Sequence, residues 1–156
     1  MNKNLLFHKI IATGFSSGYS PVAPGTAGAL LATVIWYLVS LVCPESLWVI
    51  TAVLIVIFTI LGVWSSNVVI QVWGKDPSRV VVDEMVGVWI PLLIVIDGNI
   101  YFGLLAFGLF RFFDIVKPLG IRKMESFKDG WGIMLDDILA GVYSLLVLLV
   151  VKCIIG

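Results

Sequence analysis

The sequence predicts an all-α, polytopic membrane protein with about four to five membrane helices and an N-terminal interfacial segment. Three observations carry that expectation. Hydrophobic residues make up 60% of the 156-residue chain and charged residues 13%, and its mean hydropathy is +1.10; soluble domains are about 45–50% apolar and about 25% charged. A single soluble core of this length cannot hide so much apolar side chain, so lipid must solvate part of it. The apolar residues also fall in long runs parted by short polar clusters, and none alternates as a membrane-barrel strand does. Residues 1–156 therefore read as one membrane domain.

The first run extends from Ala27 to Val42 and is closed by Cys43-Pro44-Glu45-Ser46. The second extends from Leu47 to about Val72. The third, Met85 to Ile96, is too short to span upright unless Asp83 and Glu84 begin its helix. The fourth runs from Ile100 to Val116 and is interrupted by Arg111 and Asp114. The last, Gly132 to Ile155, carries Asp136 and Asp137 in its first turns. Backbone groups inside hydrocarbon must be paired within their own segment, so each run should be helical. Ahead of them, His8 and Lys9 interrupt a brief apolar stretch, which does not read as a signal peptide. His8, the only histidine, has no partner nearby in sequence and reads as interfacial.

Basic residues orient the spans. Lys3, Lys9, Lys75, Arg79, Lys117, Arg122, Lys123 and Lys128 all fall on one side of five alternating helices. The positive-inside rule makes that side cytoplasmic. Net charge is zero, which argues against a nucleic-acid partner. Cys43 and Cys153 have no metal-binding spacing and read as membrane-facing thiols. No obligatory protein partner is evident.

The same topology gathers the polar clusters at the cytoplasmic face. A charge placed well into a span costs about 2.5–3.5 kcal/mol on insertion scales and usually marks function. Asp83 and Glu84 are adjacent, so they point about 100° apart on a helix and reach one site only near its start. Gly87 would let another helix pass close to them. Arg111, Asp114 and Lys117 recur every third residue on one helical stripe, and Pro118 ends that helix. The guanidinium and ammonium groups suit phosphate oxygens. Asp136 and Asp137 repel each other and lose hydration, penalties that a divalent cation relieves. Pro24-Gly25-Thr26 opens the first span, where free amides bind anions and Thr26 offers a capping hydroxyl. Asp76, Asp83, Glu84, Asp114, Asp136 and Asp137 make an oxygen-rich set without histidine or thiolate, which suits Mg²⁺ rather than zinc or copper. Carboxylates holding Mg²⁺ beside arginine and lysine are equipment for phosphoryl chemistry. The signatures of serine hydrolases, zinc proteases and P-loop enzymes are absent.

Four stretches, in order, resemble the phosphatidylglycerophosphatase A family: Ser20 to Thr26; Asp76-Pro77 with Val82 to Gly87; Phe110 to Pro118; and Gly132 to Gly141. The match covers nearly the whole chain. It departs at Ala27, where that family often has tryptophan, and at Leu119-Gly120, where it often has Trp-Pro, but no charged position is lost. The resemblance implies an all-helical fold in the bacterial inner membrane, multi-pass, with its site at the cytoplasmic face. It also implies Mg²⁺-dependent removal of the terminal phosphate of phosphatidylglycerophosphate, giving phosphatidylglycerol and phosphate. Asp83, Glu84, Asp136 and Asp137 are then expected to hold metal, with Asp76 or Asp114 completing the shell. Arg111, Lys117 and the amides near Thr26 are expected to bind the phosphomonoester. Attack by water and an aspartyl-phosphate intermediate both remain open. Two rivals stand beside this reading. Another lipid phosphomonoesterase or diphosphatase would use the same site, and an ion- or proton-coupled transporter would place its charges nearer mid-membrane with repeat symmetry.

Overall fold

A computed structural model of the protein describes residues 3–75 and 77–155. The candidate ligand Asp76 lies outside the described residues. The elements are α1 (Lys3–Ala12), α2 (Pro24–Val42), α3 (Leu47–Trp73), α4 (Val82–Leu92), α5 (Ile100–Val116), α6 (Ile121–Met124) and α7 (Asp129–Ile155). Among the described residues there is no strand. Helices α2, α3, α4, α5 and α7 alternate in direction, so the N-termini of α2, α4 and α7 meet the C-termini of α3 and α5 at one end of the bundle.

Helix α2 begins at Pro24, ahead of its apolar run, because proline's fixed φ and missing N–H suit the first helical position. Its cap is Ala23, at φ 48°, with no side-chain cap bond. Thr26 therefore lies inside the first turn and is not the capping residue that the sequence suggested. Asn99 does cap α5, its side-chain oxygen accepting from the Tyr101 and Phe102 amides at 3.0 and 3.4 Å.

Helix α4 begins at Val82, so Asp83 and Glu84 do open a third apolar helix, but it ends at Leu92 rather than Ile96. Beyond it the amide of Val95 donates to the Leu92 carbonyl at 3.1 Å, a tight turn that reverses the chain toward α5. Its 11 residues rise only about 16 Å, roughly half of a hydrocarbon core. This suffices because lipid is not its solvent. Every residue of α4 except Glu84 is buried, and α2, α3, α5 and α7 all contact it.

The surrounding helices supply the crossings. Three are long and apolar enough to span a membrane: Pro24–Val42, Pro44–Trp73 and Asp129–Ile155. Helix α5, with 17 residues, stands at the lower limit of a spanning length. Their outer faces expose Leu38, Val53, Ile60, Leu104, Leu146 and Val150, a surface that water would not tolerate at this extent and lipid would. The chain is a membrane protein.

Glycines set how closely α4 and α7 approach. A Cβ on Gly141 would collide with the Gly87 carbonyl oxygen, and one on Gly87 would lie 2.8 Å from the Asp137 carbonyl oxygen. Pro91, four residues past Gly87, has no N–H to give that carbonyl, which leaves it turned toward α7.

Helix α1 packs along α3 at the charged end of the bundle. His8 is buried there, its Nδ1 3.2 Å from Ser65 Oγ and its ring edge-on to Trp64. The partner that sequence proximity did not reveal comes from 57 positions away. Lys9 lies over the Trp73 ring. At the opposite end Lys152 donates to the Ile94 carbonyl at 2.9 Å, tying α7 to the turn after α4. Cys43 and Cys153 are both free and exposed.

Candidate active site

The charged end of the bundle encloses a cavity of about 700 Å³. Its floor is built from the first turns of α4 and α7. Asp83, Glu84 and Asp137 each bring a carboxylate oxygen to within 4.8 Å of the other two. Asp83 and Asp137 are buried, Glu84 nearly so, and one oxygen on each (Asp83 Oδ1, Glu84 Oε2 and Asp137 Oδ1) has no hydrogen-bond partner. Buried carboxylate oxygens left unpaired are costly, and three together repel one another. The positive end of α4 offsets part of that cost for Asp83 and Glu84. The rest is what a bound cation would relieve, and an all-carboxylate donor set fits a hard divalent ion.

The adjacent acids of α7 face different neighbours. Asp137 turns to α4, whereas Asp136 accepts from Lys117 Nζ at 2.6 Å. Asp136 thus lines the same cavity but stands outside the tight carboxylate trio. Lys117 also holds Glu125, at 2.7 Å. It has left the helical stripe that its spacing suggested, because α5 ends at Val116 and Lys117 turns into a left-handed conformation at φ 48° before Pro118. That turn swings its ammonium toward α7. Burial alone would lower its pKa, but the hydrogen bonds it donates to Asp136 and Glu125 outweigh burial and hold it above the ordinary lysine value.

Arg111 and Asp114, one turn apart on α5, form an ion pair and both line the cavity. Asp114 therefore anchors the guanidinium, and Arg111 Nε remains buried without a partner. Pro24 and Gly25 of α2 complete this wall. A Cβ on Gly25 would overlap the Glu84 carboxylate and stand 3.4 Å from Arg111 Nη1. Thr26 is not among the lining residues; the cavity meets α2 through Gly25, and the Pro-Gly pair at the helix start was the signal that could have pointed to it. The amides of Gly25 and Thr26 lie in the first turn, where helical geometry leaves N–H groups without intrahelical acceptors.

Sequence reading missed how the mouth of the cavity is built. Lys75 and Ser78 before α4, and Glu125, Phe127 and Lys128 before α7, form its outer wall. Asn67 of α3 accepts from the Gly130 amide at 2.7 Å, capping α7 from 63 positions away. Gly130 has no room for a Cβ against the Val63 carbonyl, which seats the start of α7 on α3. No local pattern announces a cap supplied by a distant helix.

Comparisons with known proteins identify the family. The profile of the family described as phosphatidylglycerophosphatase A matches residues 10–152. A Bacteroides thetaiotaomicron protein, named as a candidate phosphatidylinositol-3-phosphatase, is 58% identical over 151 residues, 94% of each chain. An Escherichia coli phosphatidylglycerophosphatase A is 34% identical over 86% of this chain and 77% of its own. The Haemophilus influenzae protein of the same name is 37% identical over 92% and 87%. No solved structure matches the chain. Profile and relatives agree, and this chain belongs to the phosphatidylglycerophosphatase A family.

Proposed function

We propose that this chain hydrolyses the terminal phosphomonoester of phosphatidylglycerophosphate to phosphatidylglycerol and phosphate, with Mg²⁺ held by Asp83, Glu84 and Asp137. At the coarser level it is a lipid phosphatase, a phosphoric monoester hydrolase of the membrane. The observation that carries the finer reading is the trio of unpaired buried carboxylate oxygens facing the same cavity as Arg111 and Lys117.

Mg²⁺ bound there would neutralise charge on the phosphoryl oxygens and lower the pKa of a nearby water. The protein's own groups do the rest. Arg111, fixed by Asp114, offers its guanidinium to a phosphate oxygen, a charge-assisted hydrogen bond. Lys117, held by Asp136 and Glu125, adds positive charge on the α7 side. The Gly25 amide at the start of α2 supplies a neutral donor. With no histidine or cysteine in the cavity wall among the described residues, a carboxylate of the trio accepts the proton of the attacking water. The water oxygen bonds to phosphorus, the bond from phosphorus to the headgroup oxygen breaks, and the carboxylate passes the proton it accepted to that oxygen, which leaves as a hydroxyl. Acyl chains remain in the leaflet while the headgroup enters from the charged end. The cluster of basic residues at that end supports a cytoplasmic orientation in a bacterial inner membrane.

A second substrate has a specific observation behind it, the name of the 58% identical relative. Phosphatidylinositol 3-phosphate also presents a phosphomonoester on a polyol headgroup. Phosphate release by the purified, detergent-solubilised protein from phosphatidylglycerophosphate, phosphatidylinositol 3-phosphate and phosphatidic acid, with and without Mg²⁺, tests both. Mg²⁺-dependent release favouring the first supports the proposal. Preference for the second keeps the site and changes the substrate, and release from none defeats the hydrolase reading.

A further inference from the structure

We infer that Lys75 and Lys128 form an outer subsite for a second, diester phosphate, so that the cavity selects lipids whose phosphomonoester is joined through a polyol to a phosphodiester. The inference rests on the reaction proposed above and deepens it by naming what distinguishes its substrates from a simple lipid monoester.

The cations of the cavity fall into two levels. Arg111 and Lys117 lie at the inner level, each paired with carboxylates. Lys75 and Lys128 also line the cavity but come from the segments just after α3 and just before α7, and both are exposed. Among the described residues neither makes an ion pair. Lys128 precedes Asp137 by nine positions in the sequence. Along α7, the rise from Asp129 to Asp137 of the trio is roughly 12 Å at helical pitch. A polyol bridge and a downward-reaching lysine side chain together cover that span. A lipid with its monoester at the carboxylate floor would therefore carry its diester phosphate within reach of Lys128, and Lys75 lines the same cavity. Ser78, also in the outer wall, offers a hydroxyl there. Phosphatidylglycerophosphate and phosphatidylinositol 3-phosphate share the two-phosphate arrangement and differ in the polyol. Phosphatidic acid lacks the outer phosphate.

The test compares Lys75→Gln/Lys128→Gln with the unmodified full chain in mixed micelles, using phosphatidylglycerophosphate as substrate and inorganic phosphate as a competitive inhibitor of the inner level. Loss of ground-state contacts to the outer phosphate raises KM with little change in kcat. The expected rise is about tenfold, equivalent to one lost charge-assisted contact, while the inhibition constant of inorganic phosphate stays within about twofold. Lys75→Arg/Lys128→Arg should restore KM. Lys123→Gln removes a charge from the same end outside the cavity and should leave KM unchanged. The subsite is overturned if KM is unmoved in the double variant, if the phosphate inhibition constant rises along with KM, or if Lys123→Gln raises KM equally through general attraction to the micelle. Release of phosphate from no lipid by the unmodified protein would remove the hydrolase reading, and this subsite with it.

Discussion

Asp83 and Asp137 each stand four residues before the glycine at which their helices touch, Gly87 on α4 and Gly141 on α7. The two helices start at the same end of the bundle, so equal offsets from one contact bring the carboxylates to equal depth. The crossing therefore sets the acid cluster, and backbone contact rather than side-chain interdigitation sets the crossing. Gly141→Val would drive a branched side chain into the Gly87 carbonyl. Overpacking of this kind costs about 1–3 kcal/mol, and here it would also part the trio. Thermal unfolding in detergent should show a fall of several degrees, with phosphate release reduced at least about tenfold. Unchanged activity would mean that the trio does not depend on the crossing.

Asp137→Asn and Asp83→Asn each remove one charge from the trio. Turnover should fall at least about a hundredfold, the scale of losing an essential electrostatic group. Stability without metal should not fall, because the change relieves repulsion among buried carboxylates. Activity together with far-UV circular dichroism and melting temperature checks both halves of this expectation.

Removing divalent ions should abolish phosphate release, and Mg²⁺ should restore it. Ligand linkage also demands that Mg²⁺ raise the melting temperature of the unmodified protein, and that this shift vanish in Asp137→Asn. A melting temperature indifferent to Mg²⁺ over the range that restores activity would place the ion on the substrate instead of on the trio.

The partners of Lys117 differ in worth. Glu125 is half exposed and Asp136 is nearly buried. Glu125→Gln should change stability by no more than about 0.5 kcal/mol, as exposed ion pairs do. Asp136→Asn leaves the lysine without its buried partner and should cost about 1–3 kcal/mol. Equal effects in denaturation measurements would contradict this ranking.

Gly25→Ala tests the contact between α2 and Glu84. Its new Cβ would meet the Glu84 carboxylate, so that side chain must move from the trio. Activity should drop at least about tenfold while the helical content stays intact, since the change is confined to the first turn of α2. Thr26→Val, on a residue outside the cavity wall, should have a much smaller effect.

Membrane character, the α5 boundaries and the convergence of polar clusters at one end were legible in the sequence because each depends on local composition or on the alternation of spans. The turn after α5 was legible too, since Pro118 disfavours the helical conformation at Lys117 before it. What escaped were relations between distant residues. Nothing near His8 names Ser65, nothing near Gly130 names Asn67, and the apolar length of α4 reads as a failed span until its neighbours are seen to cover it. The division of Asp136 from Asp137 is of the same kind. Adjacent acids on a helix must diverge, which the sequence determines by itself. Which of them meets α4 and which meets Lys117 was decided only by the tertiary structure, through the glycine contact that sets the rotation of α7 against α4 and the left-handed turn that carries Lys117 across to it.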